Sequence, residues 1–190
     1  MPRSPKPAGP APSRAALHEA ALRHLSRFGT TEAGLVRVLD RAIGRWARRA
    51  EAEGLSAATD APRAAAREVA RALVSAGVID DTAFAEARAA RLVRSGRSRL
   101  ATSAHLAARG VAAAVAGAAL PERDAELPAS LVFARKRRIG PFRPEATPET
   151  RLRDLATFAR AGFPRDVAER ALSLDSDGAM ELIAELKRGG

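Results

Sequence analysis

Residues 99–120 read RLATSAHLAARGVAAAVAGAAL, and residues 151–172 read RLRDLATFARAGFPRDVAERAL. A shift of 52 residues lays Arg99 on Arg151, Leu100 on Leu152, Leu106 on Phe158, Ala107 on Ala159 and Gly110 on Gly162. The register continues with Val111 on Phe163, Val115 on Val167, Ala116 on Ala168, Ala119 on Ala171 and Leu120 on Leu172. Upstream, a shift of 44 residues pairs Arg91 with Arg135, Arg94 with Arg138 and Gly96 with Gly140. The eight-residue difference falls in the Pro-rich stretch 141–148. Self-similarity at a fixed period is the mark of a repeat architecture. Both copies spell the same plan: helix, Gly turn, helix, Gly turn, helix.

Outward from this pair the periodicity is helical. Leu17, Ala21, Leu25 and Phe28 form one stripe, and Leu35, Leu39, Ala42, Trp46 and Arg49 another. Trp46 on such a stripe reads as core. Strand signals are poor: there is no Tyr and no run of alternating apolar residues. Ala, the best helix former, is abundant. Caps and glycines then punctuate short helices. Thr30 or Thr31 with Glu32 opens one that Gly54 closes, and Asp60 with Pro62 opens one that ends at Gly77. Asp80-Asp81 opens a helix ending at Gly96, and Ser98 one ending at Gly110. Further helices are expected over about 111–120, 128–139, 148–161, 164–174 and 178–187.

The fold class predicted is therefore all-α, an elongated array of three tandem three-helix repeats of winged-helix-like plan without a wing. The boundaries predicted are a basic, Pro-rich, disordered tail at 1–14, a first repeat at 15–79 with an extended middle helix, a second at 80–122, a third at 123–174, and a short C-terminal helix at 175–190. The tail reading rests on five prolines and little apolar bulk, which cannot offset the entropy of ordering.

Composition bounds the function. The chain has 190 residues and a formal net charge of +10, which favours acidic partners, nucleic acid or protein. Lys6, Lys136 and Lys187 are the only lysines, and an Arg and Ala excess of this kind also follows from GC-rich coding. No Cys is present, which removes disulfides, thiolate metal sites and Cys nucleophiles. No apolar run approaches the ~18–20 residues that span a bilayer, and no hydrophobic signal segment opens the chain, so a cytoplasmic location is expected.

Catalytic chemistry is missing. His18, His24 and His105 form no i, i+4 metal pair and read as surface or half-buried helical residues. No phosphate-cradling Gly-rich loop occurs. Asp80-Asp81, and Asp175 with Asp177, precede helices and read as N-caps. No catalytic residue, metal site or cofactor is expected, and the chain is not expected to be an enzyme.

The basic charge is concentrated. Over 85–110, Arg88, Arg91, Arg94, Arg97, Arg99 and Arg109 face Glu86 alone; over 131–153, Arg135, Lys136, Arg137, Arg138, Arg143, Arg151 and Arg153 face Glu145 and Glu149. These windows are the corresponding parts of the two copies, which points to a basic stripe suited to phosphate or carboxylate. The bland alternative is a solvated helical face. Helix-turn-helix readout of duplex DNA is excluded: the helix after Gly110, Val111–Leu120, carries no donor or acceptor to reach a base edge, and it is expected to be buried. Scarce aromatics also argue against base-stacking platforms for single strands.

Several runs resemble one family. Gly77-Val78-Ile79-Asp80-Asp81-Thr82-Ala83-Phe84-Ala85 and Leu106-Ala107-Ala108-Arg109-Gly110-Val111 are similar to signatures of the RecX regulatory proteins. Ala134–Pro141 with Phe142 and Arg143 resembles the third-repeat segment of the alphaproteobacterial branch. Phe158–Phe163 and Ala21–Phe28 resemble two further family motifs. Thr31-Glu32-Ala33-Gly34-Leu35 departs from the usual pattern after the first helix, and the middle of the first unit is longer than in typical members.

The resemblance implies a three-unit all-α protein that binds the RecA–single-stranded DNA filament and modulates, chiefly inhibits, its ATPase, strand-exchange and co-protease activities in recombination, repair and the SOS response. The partner-contacting residues expected are Arg91, Arg94, Arg97, Arg99, Arg135, Lys136, Arg138, Arg151 and Arg153. Single-stranded DNA or a phosphate backbone is a weak, non-specific second partner; no membrane is expected, and a monomer is. Two other classes compete: a sequence-independent nucleic-acid-binding protein acting without RecA, and a helical protein-interaction scaffold.

Overall fold

The structure is a computed structural model that describes residues 7–123, 126–145 and 147–188. Ten α-helices and one short 3-10 turn make up the described residues, with no strand among them. In order they are α1 (Arg14–Leu25), α2 (Glu32–Ala52), α3 (Asp60–Ser75), α4 (Asp81–Arg94), α5 (Arg99–Ala108), α6 (Ala113–Ala119), α7 (Glu126–Arg137), the 3-10 turn (Gly140–Phe142), α8 (Pro148–Arg160), α9 (Arg165–Ser173) and α10 (Ser176–Arg188). The chain forms two compact units, residues 1–84 and 85–190.

In the first unit α1, α2 and α3 close on Leu17, Leu35, Leu39, Ile43, Val69, Leu73 and Ile79. Burying each of these aliphatic side chains contributes about 1.5–3 kcal/mol before entropy. The expected α2 stripe needs correction. It runs Leu35, Leu39, Ile43, Trp46 and Ala50, while Arg49 is exposed and Ala42 only half-buried. The reason is that 3.6 residues per turn carry the inward face through 43 and 50. Phe28 is likewise not core. It lies beyond the end of α1, 59 % exposed, tilted against His24 with ring centroids 5.3 Å apart.

Trp46 is buried, as expected, but in a small cluster of its own with Ala47 and Ala50, packed by Ala8 and Ala57. Its indole Nε1 donates to the carbonyl of Gly9 (3.1 Å), and the Ala8 amide donates to Glu53 (2.8 Å). The expectation of a disordered tail over 1–14 is thus corrected for residues 7–13, which strap the far end of α2; its first six residues lie outside the described ones. The extra turns of α2 are what give the strap a surface.

In the second unit, α7, α8, α9 and α10 surround Leu131, Val132, Phe158, Phe163, Val167 and Ile183. Phe133, Phe158 and Phe163 contact one another with centroids 5.5–5.8 Å apart. The helices α4, α5 and α6 contribute much smaller buried groups: Ala85, Ala89, Val93, Leu106, Val111 and Ala116. The expectation that the helix after Gly110 is buried fails. Ala113, Ala114, Gly117 and Ala118 of α6 are exposed, because a seven-residue helix turns only one face inward and exposed alanine carries little penalty.

Five helices, α2, α3, α4, α5 and α8, close on a left-handed glycine, at 54, 77, 96, 110 and 162. At Gly96 (φ 84°) the amide of residue 96 bonds Val93 O and that of Arg97 bonds Leu92 O. The same pair of bonds closes α7, but there the left-handed residue is Arg138 (φ 54°), whose amide bonds Arg135 O while that of Ile139 bonds Ala134 O. Gly96 therefore corresponds to Arg138, not to Gly140, which corrects the 44-residue register by two.

Candidate basic surface

Two second-helix starts, those of α2 and α5, are each met by a carboxylate from the first residue of a later helix. The N-cap of α2 is Thr31, whose side chain accepts from Gly34 N (2.9 Å). The next amide, of Glu32, donates to Asp81 Oδ1 (2.9 Å), and Asp81 is the first residue of α4. In α5 the N-cap is Ser98, and the amide of Arg99 donates to Glu126 Oε1 (2.6 Å), Glu126 being the first residue of α7. Each helix start leaves unsatisfied N–H groups, and these carboxylates take one. The third second-helix, α8, begins with Pro148, which has no N–H to satisfy. Asp80 is an N-cap as expected, accepting from Thr82 and Ala83, and so is Asp175, accepting from Gly178.

Two of the nine expected contact residues reach back to a helix end of their own triplet: Arg99 is half-buried there, and Arg151 stays exposed. The Arg99 guanidinium donates to the carbonyl of Pro121, just past the end of α6, and that of Arg151 donates to Leu172 O in α9 (3.3 Å). In both triplets the repeat-equivalent arginine thus reaches the C-terminal end of the third helix, where cations are favoured. Glu126, beneath Arg99, is buried, and burial raises its pKa against the opposing effect of the Arg99 amide and charge.

Others gather where the two triplets of the second unit meet. The turn between α4 and α5 lies on α7: a Cβ at Gly96 would come within 2.8 Å of Phe133 N, and Lys136 Nζ donates to Ser95 O (2.7 Å). That places Arg94 and Arg97, on either side of the turn, beside the basic end of α7. Arg97, Lys136 and Arg138 are exposed; Arg94 is half-buried beside Leu186 and the C-terminal end of α6; Arg135 contacts Met180 Sδ (3.7 Å). Arg91 and Arg153 are exposed on α4 and α8.

A second concentration lies in the same basic window, but its Arg88, Arg109 and His105 were not among the expected contact residues. Arg88 Nε donates to His105 Nε2 (3.0 Å). Burial first, then the charges of Arg88, Arg109 and Arg97, lower the pKa of His105 below the ordinary histidine value, in keeping with a ring nitrogen that accepts from Arg88. Arg88 belongs to the three-residue series Arg88, Arg91, Arg94, which was the available signal; the proximity of Arg97 and Arg109 was not, because it depends on how α5 packs on α4. In the third triplet, Arg143 pairs with the buried Asp154 (2.6 Å), which also accepts from Gly140 N (2.9 Å). That pair fixes the turn after α7. No group of three metal-ligating side chains occurs among the described residues, and no described helix is long and apolar enough to cross a membrane.

The profile for the second three-helix domain of RecX matches residues 80–120, the α4–α6 triplet. The regulatory protein RecX of Myxococcus xanthus (strain DK1622) is 35% identical over 161 residues, 82% of this chain and 83% of that protein. The regulatory protein RecX of Agrobacterium fabrum (strain C58 / ATCC 33970) is 34% identical over 108 residues, 56% of this chain and 58% of its own. The crystal structure of RecX from Lactobacillus salivarius superposes with a TM-score of 0.57 at 17% identity, covering 92% of this chain and 96% of that one, which shows the shared fold.

Proposed function

The chain belongs to the RecX family of regulatory proteins, and from that premise we propose that it binds the RecA–single-stranded DNA filament and inhibits its ATPase, strand-exchange and co-protease activities without performing a reaction itself. The observation that carries the reading is the meeting of two basic segments: the α4–α5 turn with Arg94 and Arg97, and the end of α7 with Arg135, Lys136 and Arg138, joined through Lys136 and Ser95. Guanidinium groups concentrated on one surface suit carboxylates or phosphates through charge-assisted hydrogen bonds. Arg138 adds weight. A non-glycine residue with φ 54° carries a local conformational cost that the other Gly-closed helix ends avoid. Retaining Arg there is explained if its side chain is used.

The test pairs two titrations: inhibition of RecA ATPase on single-stranded DNA, and binding of bare DNA over a salt series. Inhibition at concentrations too low to coat the DNA is expected, together with weak, salt-sensitive binding of bare DNA. The variant Arg97→Glu/Arg138→Glu, with unchanged helicity, is expected to lose inhibition by tenfold or more. Tight bare-DNA binding without inhibition would replace this reading with a DNA-binding protein acting alone, and full inhibition by the folded variant would refute the site.

A further inference from the structure

The most exposed large hydrophobic residues among those described are Leu100 and Leu152, at 67% and 69%. They are the same position in two copies, the first turn of α5 and the corresponding point of α8, 52 residues apart. Each heads an exposed face of its helix, continued by Ala104 and Ala107 in α5 and by Ala156 and Ala159 in α8. A single exposed leucine is ordinary; the same leucine exposed at repeat-equivalent sites is not explained by scatter. The first triplet lacks the feature. Counted from its N-cap Thr31, the matching positions are Ala33, Arg37 and Asp40.

The Leu100 face starts at the C-terminal end of α8. Ser98 Oγ donates to Ala161 O (2.7 Å), so α5 begins where α8 ends. The Leu100 side chain comes within 3.2 Å of where a Cβ on Gly162 would sit, and Gly162 holds a φ of 84°. The rims are mainly cationic: Arg97 flanks Leu100, and Arg153 and Arg160 flank the α8 face, all exposed. No acidic residue lies in α5; of the two in α8, Asp154 is buried and Glu149 is exposed one turn before Leu152, so arginines outnumber the one exposed acid around the two faces.

We infer that Leu100 and Leu152 are two copies of one apolar anchor, docking on a partner protein that presents the same acid-rimmed apolar pocket twice, as adjacent subunits of a homopolymer do. This inference rests on the filament reading above. Charge selects the occupant. A second copy of this chain would bring basic rim against basic rim, which like-charge repulsion opposes. A nucleic acid would satisfy the arginines but give an aliphatic side chain nothing to stack on. A protein with acidic residues around an apolar pocket satisfies both features, and two linked anchors raise avidity beyond either alone.

The test uses the full chain with Leu100→Ser, Leu152→Ser and the double substitution. Both side chains are exposed, so helicity and melting temperature are expected to stay unchanged. Burial of a largely exposed leucine is worth about tenfold in affinity. Each single variant is therefore expected to raise the half-inhibitory concentration for RecA ATPase on single-stranded DNA about tenfold, and the double variant about a hundredfold. Bare-DNA binding should not change. Equal inhibition by wild type and double variant would overturn the anchors while leaving the filament reading standing; a wild-type chain without effect on the filament would overturn both. Parallel loss of bare-DNA binding would assign the leucines to nucleic acid, and a wild-type dimer that the double variant abolishes would assign them to a second copy; either overturns the inference.

Discussion

The α4–α6 triplet and the α7–α9 triplet follow one plan with unequal means. Where the third triplet places Phe158 and Phe163, the second has Leu106 and Val111, and the three-phenylalanine contact around Phe133 has no counterpart. The second triplet's other buried groups are mostly alanine. What it lacks in volume it recovers by leaning on its neighbour: Gly96 against the α7 backbone, Ser98 on Ala161, Arg99 on Glu126, and Lys136 on Ser95. In a stacked repeat protein, stability is the sum of intrinsic and interface contributions, and here the second triplet depends chiefly on the interface. A weak repeat held by a strong one also leaves its exposed apolar groups available for a partner.

The largest test of this asymmetry removes the strong core. Phe158→Ala is expected to cost about 3–5 kcal/mol and to melt α4–α6 together with α7–α10 in one transition, followed by circular dichroism and native-state hydrogen exchange. Leu106→Ala should cost less at the third triplet, leaving the α7–α10 amides protected. Retention of protection in α4–α6 after Phe158→Ala would show that the second triplet stands alone.

The junction carboxylate comes next. Glu126→Ala leaves the Arg99 amide without its acceptor and is expected to cost about 1–3 kcal/mol in denaturant unfolding. Glu126→Gln keeps an acceptor oxygen and should match or exceed wild type at neutral pH. The sign follows from burial. A carboxyl whose folded pKa is raised binds its proton more readily in the folded state, so wild type gains on Glu126→Gln as pH falls from the folded value through the ordinary glutamate range. A gap that widens on acidification would contradict this.

The smallest effect has the opposite direction. Arg138→Gly relieves a left-handed non-glycine residue and is expected to stabilise by about 1 kcal/mol or less, the greater freedom of glycine in the unfolded chain offsetting part of the gain. The same variant is expected to weaken filament inhibition. Gain of stability with unchanged inhibition would mean that Arg138 is not used.

The helix ends were legible because their chemistry is local. Ser98 sits one residue before α5, Asp80 one before α4, and the glycines at 54, 77, 96, 110 and 162 follow their helices with positive φ. The strap of residues 7–13 was not legible, since only the length of α2 and the position of Trp46 give it a partner. Nor was the division of labour among the arginines. Arg99 and Arg97 are two residues apart in one basic run, yet one is half-buried against Pro121 and the other exposed.

The sequence by itself determined that this protein is all helical, that its second and third triplets are copies of one unit, and where most helices begin and end, because caps, glycines and the 3.6-residue period act within a few residues along the chain. Only the tertiary structure decided that Asp81 caps the start of α2 and Glu126 that of α5, which arginines brace and which face solvent, and that two equivalent leucines stay uncovered. Those outcomes depend on which helix end arrives opposite a given side chain, a distance set by packing across 21–63 residues of sequence separation rather than by any local pattern.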